Sequence, residues 1–177
     1  MIARTLRGLA AASVLLFVAS SAADAQAPTE SRFAITAGVD LPMGDFGDAA
    51  NMGFLIGGQL TRPLGATLKL RINADYARNG FSDLVAGLIG DGNWTRFGAM
   101  ANVLYPFGGE MGVYGLGGLG FYSTNTDLSG SEAFNDLAWN LGAGFGKGRW
   151  FAEARYQSIM ADGSSLTSLP IVFGIRF

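Results

Sequence analysis

The sequence feature that most constrains the fold is an alternation of apolar and polar residues in stretches of about ten residues. The clearest stretch begins at Leu68, where every second residue up to Tyr76 is apolar and the residues between them are polar. Successive side chains of a β-strand point to opposite faces of the sheet, so this alternation predicts a strand with one apolar and one polar face. The apolar face comprises Leu68, Leu70, Ile72, Ala74 and Tyr76, and the polar face comprises Lys69, Arg71, Asn73 and Asp75.

Similar stretches recur along the chain and predict eight strands, at residues 32–41, 52–62, 68–76, 96–105, 111–123, 136–145, 150–157 and 169–177. Short turns rich in Gly and Pro (62–65, 106–110, 146–149) alternate with longer polar loops (44–51, 79–92, 124–135, 158–167). The chain is therefore predicted to be all-β, and this layout is typical of an eight-stranded antiparallel up-and-down transmembrane β-barrel with short periplasmic turns and long extracellular loops. The fifth strand has glycines on both faces, so the pattern leaves its inward and outward sides open.

Alternation alone does not decide whether the apolar face meets lipid or fills the core of a soluble sandwich or barrel. Charged residues make up only 15% of the chain, which is few for a surface that faces water. Aromatic residues collect at predicted strand ends, as the interfacial girdles of membrane barrels require. They are Tyr76, Tyr122 and Trp139 near the loops, and Tyr105, Phe107, Trp150 and Phe177 near the turns. These observations favour the membrane.

The first 25 residues have the layout of a secretory signal peptide. A basic leader precedes an apolar run at residues 8–19, and small residues follow it. We expect cleavage after Ala25, which leaves residues 26–177 as a single barrel domain. That domain carries 10 basic and 13 acidic residues, a net charge of −3, which argues against a nucleic-acid-binding surface. The chain has no cysteine, which excludes disulfides and a thiol-linked lipid anchor.

The last predicted strand, residues 169–177 (LPIVFGIRF), looks like the C-terminal signal that the barrel-assembly machinery recognises, with Phe173, Ile175 and Phe177 on one face. Segments 115–122 (GLGGLGFY), 140–145 (NLGAGF) and 151–156 (FAEARY) resemble strands five to seven of the small outer-membrane β-barrel domain family. That family includes the transmembrane domains of the OmpA, OmpX and opacity-type proteins. The resemblance implies a location in the outer membrane, contact with its lipid and lipopolysaccharide, and a monomeric barrel.

Residue types needed for common enzyme mechanisms are missing. The chain has no His and no Cys, which excludes Ser–His–acid and Cys–His nucleophilic sites. A Ser–Lys arrangement remains open, although Lys147 lies in a predicted turn and Lys69 has no serine near it in sequence. Residues 115–120 match the G-x-G-x-x-G spacing of dinucleotide-binding loops, but no helical pattern follows them. The sequence therefore predicts neither an enzyme nor a cofactor or metal.

Charged residues on the polar faces of the strands predict a charge network inside the barrel. Strands three and seven lie opposite each other in an eight-stranded ring whose interior is just wide enough for side chains to fill. Arg71 and Glu153 both fall in the turn-side half and are predicted to pair, since buried charges need partners. One hypothesis is a polar plug, and the other is a gate that opens to a narrow ion path. The predicted network comprises Lys69, Arg71, Asp75, Arg96, Glu153, Arg155 and Arg176.

The predicted long loops all carry a net negative charge and contain no Lys or Arg. Acidic residues in or beside them are Asp45, Asp48, Asp83, Asp91, Asp127, Glu132, Asp136 and Asp162. An apolar tract, residues 84–89 (LVAGLI), interrupts the second loop. The predicted function is a non-enzymatic structural or surface-interaction role in the outer membrane. The alternatives are a narrow pore for small cationic or neutral solutes and, disfavoured by the missing histidine, a lipid-modifying enzyme.

Overall fold

The computed structural model describes residues 31–108, 112–128, 133–161 and 163–177. Its strands are β1 (Arg32–Met43), β2 (Gly53–Leu64), β3 (Leu68–Gly80), β4 (Asn93–Gly108), β5 (Val113–Thr126), β6 (Phe134–Lys147), β7 (Trp150–Ala161) and β8 (Ser164–Arg176). Two short helices, α1 (Asp45–Ala49) and α2 (Asp83–Ile89), lie in the first two long connections. The predicted signal peptide, residues 1–25, and the acidic Glu132 and Asp162 lie outside the described residues.

The eight strands form one closed antiparallel barrel in chain order. Each strand pairs with its neighbours in sequence, and β1 pairs with both β2 and β8, which closes the ring. Ile35, for example, lies opposite Gly58 of β2 and Ile175 of β8. Among the described residues each strand therefore has a paired strand on both sides, which is the condition that a sheet must meet to span lipid. The predicted eight-stranded up-and-down architecture is confirmed.

The apolar faces of the strands point outward, and the polar faces point into the barrel. Phe97, Leu141 and Phe173 are 60%, 64% and 66% exposed, whereas Arg96 and Glu153 inside are 1% and 3% exposed. A soluble barrel has the opposite arrangement, because water favours charged surfaces and apolar interiors. An apolar surface that continues around the ring is stable when it faces the acyl chains of a bilayer. The sheet therefore has the polarity of a membrane-spanning barrel.

Strand β5 turns Tyr114 and Tyr122 inward and Leu119 and Phe121 outward, which settles the facing that the sequence pattern leaves open. Tyr122, predicted to join the outer aromatic girdle, is instead buried in the lumen. The glycines of β5 provide space for close strand packing: a Cβ on Gly120 would collide with backbone atoms of β4. The G-x-G-x-x-G spacing in this strand therefore reflects tight packing of the barrel wall.

The prediction of a fourth long loop at residues 158–167 is wrong. Strand β7 continues to Ala161 and β8 begins at Ser164, so the two strands extend well past the predicted ends. Ile159 and Leu166 face inward there and are buried. The Ser, Thr, Asp and Gly residues of this segment are typical of loops, but pairing and burial in the tertiary structure outweigh that local preference.

The first two long connections contain helical turns that the sequence prediction treats as loop. Ser82 caps α2 by accepting a hydrogen bond from the Val85 amide at 3.4 Å, and its hydroxyl donates to the Asp48 carbonyl at 2.7 Å. The helix ends at Ile89 and is followed by Gly90, whose φ of 91° suits glycine. The apolar tract 84–89 thus lies on α2, where Leu84 and Leu88 are exposed. In the described part of the chain, no helix is long and apolar enough to cross a membrane.

Candidate functional site: the charged lumen

The loop end of the lumen is closed by an apolar cluster, which we call the loop-end cap. Helix α1 brings Phe46 into the barrel mouth, where its side chain is only 1% exposed. The Trp94 ring packs edge-on against Phe46 with 5.7 Å between ring centroids. The cluster makes the loop-end half of the lumen a small hydrophobic core. Its members are Phe46, Ala50, Trp94, Met100, Tyr122, Phe134, Ala138, Ile159 and Leu166.

Beneath the cap lies a buried ion pair between Arg96 of β4 and Asp40 of β1, the upper layer of the charge network. Arg96 also donates to Asn79 at 2.9 Å, and its guanidinium carbon lies 4.9 Å from the centre of the Phe46 ring. Asp40 is absent from the predicted network, although strand alternation already assigns it to the polar face of β1. The residue becomes recognisable as Arg96's partner only when barrel closure brings β1 and β4 across the lumen.

The middle layer is centred on Asp75 of β3. Arg155 of β7 reaches Asp75 with 3.5 Å between nitrogen and oxygen. The same carboxylate accepts a hydrogen bond from the Asn73 amide at 2.5 Å and another from the Tyr122 hydroxyl at 3.2 Å. Asn102 of the neighbouring strand β4 donates to Asn73 at 2.7 Å and supports the layer from the same wall. Charge and hydrogen bonding are thus both satisfied at Asp75, as buried carboxylates require.

The lower layer joins Arg71 of β3 to Glu153 of β7, with 2.5 Å between nitrogen and oxygen. The Tyr114 hydroxyl donates to the same carboxylate oxygen at 2.8 Å. The Nε of Arg155 lies 3.5 Å from the other oxygen of Glu153, so the lower and middle layers are continuous. The Arg71 guanidinium carbon also lies 5.4 Å from the centre of the Tyr114 ring. The structure therefore places Arg71 and Glu153 together in the turn-side half of the lumen.

Two members of the predicted network, Lys69 and Arg176, do not join these layers. Both line a cavity of about 520 Å³ at the turn end, which we call the turn-end cavity. Lys69 is exposed, and Arg176 donates to the Gly148 carbonyl at 3.4 Å. Both residues lie on inward faces, as their strand positions predict, but they lie near the ends of their strands where the lumen meets water. Among the described residues, neither takes part in an ion pair across the barrel.

The three layers balance their charges. Arg71, Arg96 and Arg155 face Asp40, Asp75 and Glu153, and all six side chains are buried. Such pairing offsets the desolvation of each charge, and removing one partner leaves the other charge buried without compensation. The described residues include no group of three or more metal-ligating side chains placed to hold an ion. The arrangement is suited to filling and rigidifying the barrel.

The predicted C-terminal signal lies on the outer face of β8. Phe173 and Phe177 are exposed, and the Phe177 ring lies 6.3 Å from Phe33 of β1 between centroids. Ile175 lies opposite Ile35 in the β1–β8 pairing that closes the barrel. These residues are thus accessible on the outer wall at the closing seam. Recognition of this strand by the assembly machinery stays a prediction.

A closed eight-stranded barrel with an apolar exterior and a lumen filled by paired charges defines the class of small transmembrane β-barrels. Residues 10–177 match the family model described as outer membrane protein beta-barrel domain, and the chain belongs to this family. The predicted family resemblance is confirmed, and family membership implies an outer-membrane location. In this class the short turns face the periplasm and the longer loops face outward.

Solved structures agree with the fold. The Yersinia pestis outer membrane protein Ail in a phospholipid bilayer nanodisc aligns with a TM-score of 0.59 and 18% identity, covering 84% of this chain and 100% of that chain. Ail in complex with the heparin analogue sucrose octasulfate aligns with a TM-score of 0.55 and 16% identity, covering 84% and 99%. At these identities the likeness concerns the fold alone. Curated protein sequences give no match.

Proposed function

We propose that this protein is a non-enzymatic, non-conducting outer-membrane barrel that presents an interaction surface at its loop end. The observation that carries the proposal is the filled lumen, in which three ion-paired layers lie beneath the loop-end cap. A path for solutes along the barrel axis would require several buried pairs to separate, and each broken pair costs about 3–5 kcal/mol. This cost favours the polar-plug hypothesis over the gate.

The charges at the loop end support a surface role. Asp45, Asp48, Asp83 and Asp91 lie on or beside α1 and α2, where lysine and arginine are absent. A surface of this sign attracts cationic partners and repels polyanions. The sucrose octasulfate that Ail binds is a polyanion, so we expect this chain to prefer the opposite ligand charge. Contact with lipopolysaccharide and outer-membrane lipid is part of the proposal.

Planar-bilayer recording tests the non-conducting proposal. Folded wild-type protein, checked by the mobility difference between boiled and unboiled samples, should insert without discrete channel openings. Glu153→Gln should also remain silent if the layers only fill the lumen. Reproducible openings of the wild type, altered in amplitude or selectivity by Glu153→Gln but not by Asp127→Asn at the loop end, would instead establish the narrow pore.

A polylysine-binding assay tests the acidic loop end. Nanodiscs carrying the wild type should bind polylysine at low salt, and binding should weaken as salt screens the charges. A triple variant with Asp45, Asp48 and Asp83 changed to Asn should bind less. A matched variant, Asp75→Asn, also removes a carboxylate, but that carboxylate is buried in the lumen and its loss should leave polylysine binding unchanged in folded protein. Equal binding by the triple variant and the wild type would refute the surface proposal.

A further inference from the structure

The turn-end cavity is an open, one-sided chamber. It encloses about 520 Å³, a volume within the range of small-molecule binding sites. Arg71 and Tyr114, which both bind Glu153 behind them, close its inner end. Its outer end lies among the short turns, where Pro63 and Gly146 line the wall. A solute therefore enters from the turn side, and it stops at the lower layer without crossing the barrel.

The lining of this cavity is strongly basic. None of the described acidic residues lines it. Five cationic side chains do, and they are Arg32, Arg62, Lys69, Arg71 and Arg176. The charge of Arg71 is balanced by Glu153. Within the described chain, Arg62, Lys69 and Arg176 take part in no ion pair. The cavity therefore has an excess of positive charge in a concave, partly desolvated space, where electrostatic attraction for an anion is strengthened.

Two of these cations are held on the same aromatic ring. The guanidinium carbons of Arg71 and Arg176 lie 5.8 Å and 4.7 Å from the centre of the Phe151 ring. The ring fixes both groups near the cavity floor, although their like charges repel each other. An anion with several oxygens relieves that repulsion, and guanidinium groups bind phosphate oxygens with paired N–H donors. Gln59 and Thr61 add neutral polar groups to the same wall.

We propose that the turn-end cavity is a binding site for a small phosphate-bearing anion on the periplasmic side of the barrel. Arg176 and Lys69 contact the phosphate oxygens, and Arg62 adds positive charge at the rim. The ligand is either a soluble phosphate compound or the phosphate of an anionic phospholipid head group that reaches into the cavity. The site lies at the opposite end of the barrel from the proposed interaction surface and does not depend on it.

Calorimetric titration of pyrophosphate tests the site, using folded protein in phosphatidylcholine nanodiscs at low ionic strength. The wild type should show saturable binding at a single site. Lys69→Gln should weaken the affinity about tenfold, the equivalent of one charge-assisted hydrogen bond. Lys147→Gln is the matched control, because it removes the same charge at the same end of the barrel from a residue that does not line the cavity. The affinity of Lys147→Gln for pyrophosphate should stay within about twofold of that of the wild type.

The lipid composition of the discs separates the two ligand sources. If a lipid head group occupies the cavity, added phosphatidylglycerol should compete with pyrophosphate in the wild type and should not change the weak binding of Lys69→Gln. If the ligand is soluble, phosphatidylglycerol should leave the affinity unchanged. Absence of saturable binding by folded wild type in phosphatidylcholine discs would overturn the proposal. So would equal losses in Lys69→Gln and Lys147→Gln, because these would indicate diffuse attraction to the whole turn end.

Discussion

The lower layer of the lumen makes a quantitative prediction about stability. Glu153→Gln keeps the shape of the side chain but removes the charge that Arg71 meets at 2.5 Å and Arg155 meets at 3.5 Å. Both arginines remain buried; Asp75 still pairs with Arg155, and Arg71 loses its carboxylate partner. Stranding a buried charge costs roughly 3–5 kcal/mol, so we expect the free energy of unfolding to fall by about that amount. The same change at an exposed pair should cost about 1 kcal/mol or less.

Urea unfolding in lipid vesicles, followed by tryptophan fluorescence and by gel mobility of unboiled samples, measures this loss. The exposed pair Arg78–Asp127, at 3.2 Å, provides the matched control through Asp127→Asn. The double variant Arg71→Met with Glu153→Gln should lose less unfolding free energy than the sum of the losses in the two single variants. In the double variant neither member of the pair remains as a buried charge without its partner. The reasoning is refuted if Glu153→Gln costs no more than Asp127→Asn, or if the two single losses simply add.

Three further changes test other parts of the barrel. Tyr122→Phe removes the hydroxyl that hydrogen-bonds a buried carboxylate and should lower the urea-unfolding free energy by about 1–3 kcal/mol; no change would contradict its placement in the lumen. Gly120→Ala should destabilise the barrel by about 1–3 kcal/mol, because the new Cβ would collide with β4. At Gly117 a new Cβ would have no neighbouring atom closer than 3.6 Å, so Gly117→Ala should change the unfolding free energy by no more than about 0.5 kcal/mol. Deleting Phe177 should lower the yield of folded barrel in cells but not in vitro refolding into vesicles. Phe145→Ala, another lipid-facing change, should spare both, and equal cellular losses would argue against a C-terminal signal.

The two ends of the barrel differ in charge. The loop end has acidic residues around an apolar cap, and the turn end has an excess of basic residues around an open cavity. This separation of charge follows from the sequence, since the acidic residues lie mainly in the long connections and the basic residues mainly at the short ones. We therefore expect each end to attract ligands of the opposite charge, without any need for transport between the two ends.

The local pattern of the sequence was sufficient for the number of strands and the direction of most side chains. A period of two residues is a local property, so Leu70 and Arg71 are assigned to opposite faces without knowledge of their neighbours. The turn at Gly148, with a φ of 60°, is similarly encoded by glycine itself. Where glycines occupy both faces, as around Gly117, no local signal remains, and pairing with β4 and β6 decides the facing of β5.

The all-β class, the polarity of the strands and the location of charges on the inward faces were thus readable from the local sequence pattern. Apart from the Arg71–Glu153 pair, the choice of partners among these charges depends on the tertiary structure, because barrel closure brings together strands that are far apart in the chain. The pair between Arg96 and Asp40 and the entry of Phe46 into the mouth both depend on that closure. Closure also leaves Lys69 and Arg176 at the open end, since strand ends reach water while strand centres do not.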